Sequence, residues 1–201
     1  MAAPAVEVGQ RVLPLDGEAL GWMHEFDGAL SDGAAMRAQL ERDGYLLLRD
    51  AIPSELVDAG CASITAEVHR EGWLVEGTEP AELIVKETPP GSGMLREHEA
   101  DNMMNDDAVR RVLHGAELFG VLETLFAEPA ASLDYKWFRA VVPEQYSGFH
   151  MDNVCECSSS LCTFFRSLKR SYGADMGAGS KRLHTVWLPW HDIDVTKGGL
   201  V

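Results

Sequence analysis

The sequence is short of basic residues, short of cysteine and without any long apolar run. Against 32 Asp and Glu stand only 17 Lys and Arg, a formal net charge of −15. That balance weighs against a broad surface for phosphate backbones or anionic membranes and leaves room for a local basic pocket. No stretch approaches the ~20 consecutive apolar residues of a spanning helix, and Met1–Gln10 has no basic residue ahead of an apolar run, so no secretory signal is read there. Four cysteines are too few for a disulfide framework, and three of them (Cys155, Cys157, Cys162) crowd into one segment. These absences together point to a cytoplasmic protein with neither a nucleic-acid nor a membrane partner.

What is present is ordinary globular material. Hydrophobic residues make up 46% and charged residues 24%, enough to build a core in a chain of 201 residues and to exclude a collagenous or wholly disordered one. At ~1.3 times the usual length per domain, a single domain with a short appendage is expected. Residues 1–30, with Pro4, Pro14 and scattered Gly, show no sustained period and read as an irregular arm. Ser31 has the chemistry of an N-cap; Ala35, Met36 and Leu40 follow at helical spacing, and Gly44 ends the run. Tyr45-Leu46-Leu47-Leu48 is short and apolar, as in a buried strand. Pro53-Ser54 opens a second helix carrying Leu56, Ile64 and Val68, which runs to about Gly72. A third helical region runs from Asp106 through Leu113, Leu118 and Leu122 to Phe126, with Pro129 beyond it. Its acidic pair Asp106-Asp107 suits a helix N-terminus, where negative charge meets the macrodipole.

Beyond Pro129 the period changes. Tyr135 to Val142 is aromatic and β-branched and closes at Pro143; Gly148–Asp152, His184–Leu188 and Gly199–Val201 are further extended pieces. Helices first and strands last define an α+β chain whose β part is a sandwich or barrel. Within one of these pieces, His150 and Asp152 stand at i and i+2. In a strand such positions share a face while Met151 takes the other, so an imidazole and a carboxylate aim at a common point. This is two thirds of the 2-His-1-carboxylate arrangement that holds Fe(II) and leaves positions open for other ligands. By itself His-x-Asp is weak, since most such pairs are hydrogen-bonded surface groups.

The surrounding residues strengthen it. Leu40-Glu41-Arg42-Asp43-Gly44-Tyr45-Leu46-Leu47-Leu48 before Ile52-Pro53-Ser54-Glu55-Leu56, then Asp134–Ala140, then Gly148-Phe149-His150-Met151-Asp152-Asn153, and finally Thr185-Val186-Trp187-Leu188-Pro189 with Gly198-Gly199-Leu200 together resemble the phytanoyl-CoA dioxygenase family of Fe(II)- and 2-oxoglutarate-dependent oxygenases. The resemblance implies a double-stranded β-helix, a jelly-roll (cupin-like) barrel flanked by N-terminal helices, spanning residues 31–201 as a partial dioxygenase domain. It implies His150 and Asp152 as catalytic iron ligands, and 2-oxoglutarate as cosubstrate, decarboxylated to succinate as a small organic or acyl substrate is hydroxylated by O2. Asp152 favours hydroxylation, because relatives that halogenate lack this carboxylate. Trp187 matches a position lining the 2-oxoglutarate pocket, with a core aromatic as the other reading. Arg139 and Lys136 face an anionic substrate or cosubstrate, or else a solvated strand edge.

Two departures accompany the resemblance. The family's third ligand, a histidine, and an arginine for the distal carboxylate of 2-oxoglutarate lie beyond the Gly-Gly turn, and this sequence ends at Val201. An incomplete barrel and site are therefore expected, with a non-catalytic fragment or binding module as the alternative function. His184 and His191 are the nearest substitutes; His24, His69, His98 and His114 fall in the arm, helices or loops. Secondly, residues 155–175 interrupt a short family loop with three cysteines, a serine run at Ser158-Ser159-Ser160 and a net charge of +1 (Arg166, Lys169 and Arg170 against Glu156 and Asp175). An inserted loop or a translated intron accounts for that composition. A Cys155-x-Cys157 knuckle with Cys162 lacks the C-x2–4-C pairing and four ligands that zinc sites use.

Overall fold

The computed structural model describes residues 5–8, 11–15, 18–87, 94–96, 103–132, 136–140 and 184–193. The chain divides into two compact units, Met1–Glu144 with Trp190–Val201, and Gln145–Pro189. In the first, β1 (Ala5–Val8) and β2 (Arg11–Pro14) form an antiparallel pair with Ala5 opposite Pro14 and Val8 opposite Arg11. The stretch without helical or alternating period thus contains a hairpin. Its strands are only four residues each, too short for a period to register, and Val12 on β2 is exposed.

Helix α1 (Gly33–Asp43) is capped by Asp32, one residue after Ser31, whose carboxylate accepts from the Ala35 N–H at 3.0 Å. It ends at Gly44, which adopts φ +80 and donates its N–H to the Leu40 carbonyl at 2.9 Å. Only a residue without Cβ takes that conformation cheaply. Helix α2 (Ser54–Arg70) starts behind Pro53, with Glu55 in its positive first turn and His69 and Arg70 in its last. Gly60, Ile64 and Val68, four residues apart, form its buried stripe. Gly72, at φ +71, turns the chain back: its N–H reaches the His69 carbonyl at 3.0 Å and the Trp73 N–H reaches Val68 at 2.9 Å. This is a Schellman closure, and Trp73 and Val68 provide its apolar contact inside the core.

The third helical region is two helices. Helix α3 (Asp107–Leu113) is capped by Asp106, whose carboxylate accepts from Ala108 N–H at 2.9 Å and Val109 N–H at 3.4 Å. Helix α4 (Ala116–Phe126) starts anew after Gly115. A Cβ at residue 115 would lie 2.1 Å from the Arg111 carbonyl, so the chain bends there by an approach open only to glycine. The Arg111 guanidinium spans the break to the Glu117 carboxylate. The first unit's second sheet pairs β3 (Met94–Arg96) with β4 (Trp137–Arg139), antiparallel, Leu95 opposite Phe138. Tyr45–Leu48 forms no ladder. Its residues are half-buried, and Leu47 makes one parallel bridge to Glu25.

The main core joins Ile64 and Val68 of α2, Trp73, Leu74, Met104, Val109 of α3 and Ala140 after β4. Burying side chains of this size contributes about 1.5–3 kcal/mol each relative to exposure. On its other side α1 packs on α4. Met36 is buried, and a Cβ at Gly33 would lie 2.1 Å from the Thr124 carbonyl. Arg37 donates to the Thr124 and Leu125 carbonyls at 3.1 and 2.8 Å, satisfying groups that the end of α4 leaves open. In the second unit the described residues, 184–189, pair with no strand. The jelly-roll barrel expected between the Tyr135–Val142 strand and Val201 would be built largely from residues 141–183 and 194–201, outside the described residues.

Helix α4 closes on Ala127 at φ +56, a conformation that costs an L side chain free energy. Ala127→Gly is expected to stabilise the protein by about 0.5–1 kcal/mol, read as a rise in Tm of roughly 2–3 °C. Arg37→Ala removes two charge-assisted hydrogen bonds and is expected to lower stability by about 1–2 kcal/mol in denaturant titration.

Candidate functional site

His150 and Asp152, with the whole 155–175 segment and its cysteines, lie outside the described residues, as do His98 and Gly198-Gly199. The basic candidates are described. Arg139 stands on β4 opposite Met94, and Lys136 immediately precedes the strand. Both side chains are half-buried, and both have interaction partners. Trp187 belongs to the second unit and is 48% exposed, so it is not enclosed as a core aromatic would be. His184 and His191 are exposed; Nδ1 of His191 lies 3.1 Å from the Asp192 carbonyl oxygen, a contact local to the turn. His69 is exposed on α2, and His114, at the end of α3, stacks on Phe119. Among the described residues no three His, Cys, Asp or Glu side chains cluster as a metal site.

The densest polar arrangement described joins the arm to α1. The His24 N–H donates to the Tyr45 hydroxyl at 2.8 Å, and its carbonyl accepts from Nε2 of the buried Gln39 at 3.1 Å. Its ring lies 3.5 Å from Asp43, whose carboxylate is largely covered and is held bidentately by Arg42 at 2.8 and 2.9 Å. Beside it, Arg49 grips one oxygen of Glu25 at 3.0 and 2.5 Å, and the Phe26 N–H bonds Leu47. A His-Asp pair invites a catalytic reading, but the backbone of His24 and the side chain of Asp43 are committed to fastening residues 24–26 onto α1 and the segment after it. Nothing in the sequence marks this fastening, because its partners are 15 to 24 residues apart and obey no spacing rule.

Compared with protein-family models, curated proteins and solved structures, the chain finds no match.

Hydrogen bonding by Arg42 holds the Asp43 carboxyl below its ordinary 3.8, and hydrogen bonding by Arg49 holds Glu25 below 4.5. Because the folded values are depressed, the unfolded chain binds more protons in the acid range and stability rises with pH there. The contribution is complete above the ordinary carboxylate values and is lost as pH falls through the depressed ones. A Tm series is expected to be flat with respect to these groups above pH ~5 and to fall below it, and Asp43→Asn with Glu25→Gln should flatten the acid limb.

Proposed function

We propose that the chain carries the His150 and Asp152 part of a non-haem iron site, in a 2-oxoglutarate-dependent dioxygenase that hydroxylates a small organic or acyl substrate. The observation that carries this reading is the His150-Met151-Asp152 triplet in its ordered run of flanking motifs, from Leu40–Leu56 through Asp134–Ala140 to Thr185–Pro189. The donor set suits the metal: a neutral imidazole and a carboxylate bind ferrous iron, and the carboxylate offsets part of its charge. Bound iron supplies the activation of O2.

The chain's own residues take the remaining tasks. His150 would hold the iron through one ring nitrogen, and a hydrogen-bond acceptor at the other would fix its tautomer. By the resemblance, Lys136 and Arg139 would supply positive charge for the carboxylates of 2-oxoglutarate, and Trp187 would line its pocket. None of these groups discriminates among substrates.

The test is succinate formation from 2-oxoglutarate with Fe(II), measured on this chain and on one extended past Val201. Turnover is expected, and His150→Ala and Asp152→Ala should each lower it by at least 100-fold. Turnover confined to the extended chain would assign the remaining ligands to the extension. No turnover and no iron bound in either chain would overturn the oxygenase reading in favour of a non-catalytic binding module.

A further inference from the structure

Helix α2 has a glycine at its middle, where any other common residue except proline would favour the helix more. Gly60 is buried, and what buries it is an indole. A Cβ built on Gly60 would meet Trp190 at 2.5 Å from Cζ3, 3.2 Å from Cη2 and 3.4 Å from Cε3. The benzo edge of the ring therefore abuts the helix backbone, in a slot that only the absence of a side chain leaves open. From there it packs against the edge of the cluster formed by Ile64, Val68 and Trp73.

The attachment is concentrated. Of residues 190–193, Trp190 is the one that packs on the buried cluster among the described residues; His191, Asp192 and Ile193 are exposed, and Nδ1 of His191 lies beside its neighbour's carbonyl. Ile64, Val68, Trp73 and Val109 are each at most 2% exposed, whereas Trp190 stays half-buried at the margin of their cluster. A segment held by one peripheral side chain over one glycine opens by local release rather than by global unfolding.

We propose that residues 190–193 are a strap latched onto α2 by Trp190, with Gly60 as the catch. The latch is independent of the oxygenase reading. Its signature is a reversal of sign. Alanine is the better helix former by ~1 kcal/mol, so Gly60→Ala should stabilise the protein if nothing sits on residue 60. With Trp190 seated, the same change ejects the ring. The experiment is a double-mutant cycle on the full chain, combined with fluorine NMR of protein containing 5-fluorotryptophan, in which the five tryptophans give separate lines and Trp190→Phe assigns one of them.

In Gly60→Ala the Trp190 line is expected to move to the position of an exposed indole while the Trp73 line stays in place, and Tm should fall. In the Trp190→Ala background, the added Gly60→Ala should raise Tm. Additive effects in the cycle, or an unmoved Trp190 line, would show that the indole does not occupy the slot. Collapse of the Trp73 line together with that of Trp190 would make the indole an integral part of the core and overturn the latch.

Discussion

The reversal of the chain at Gly72 is the constraint on which the described core depends. Helix α2 brings Ile64 and Val68 to one face, but a helix stripe buries nothing until something folds back over it. The left-handed glycine supplies the fold-back within two residues, setting Trp73 on Val68 and sending Leu74 into the bridge with Val85. A side chain at that φ would cost roughly 1–2 kcal/mol, and the loss would extend beyond the turn. Met104, Val109 and Ala140 come from far along the sequence and pack on the surface that Trp73 and Leu74 complete. Loop closure of that length costs entropy before any contact forms, so the distant residues depend on the local one.

Legibility followed the range of the interaction. The end of α1 at Gly44, the start of α2 behind Pro53 and the cap at Asp106 are written in single residues whose chemistry acts within one turn. The division between α3 and α4 was also written locally, in His114-Gly115. It was masked because the apolar period of Leu113, Leu118 and Leu122 continues across it, and the deciding contact is a backbone approach to Arg111. Strand β3 carries three residues, and only the pairing with β4 identifies it. Tyr45–Leu48 reads as a buried strand from apolarity alone. What it meets is the arm at Glu25 and Phe26, which offers one bridge and half-burial rather than a sheet. For the candidate site, the alternation that would put His150 and Asp152 on one face of a strand is a two-residue rule and needs no tertiary information. A third ligand and an anion partner, which the oxygenase reading requires, would be long-range features that no local pattern supplies.

The acidic balance shapes how the few cations are used. Arg42, Arg49, Arg70 and Arg111 are each bound to a carboxylate, and Arg37 closes the carbonyl end of α4. Most of these pairs are exposed and individually worth little in water. Their distribution matters more than their sum. The Arg49–Glu25 bridge ties the arm to the segment after α1, Arg111–Glu117 spans the break between α3 and α4, and Arg37 joins α1 to α4. These three cations act as fasteners between elements, while Arg42 and Arg70 pair within their own helices.

That use of cations bears on an anionic cosubstrate. A dicarboxylate approaching a chain of net charge −15 meets a repulsive field at long range. Physiological salt confines that field to about 8 Å, so the outcome is decided by groups in contact with the ligand. Under the oxygenase reading the positive charge of Lys136 and Arg139 must then act locally, and the partners that both residues already have must be exchanged or shared on binding. An arginine contributes more than a lysine to that exchange, because its planar fork holds a carboxylate by two parallel hydrogen bonds and recovers more of what it gives up. Of the two residues, Arg139, fixed on a paired strand, is the one whose backbone position the fold already sets.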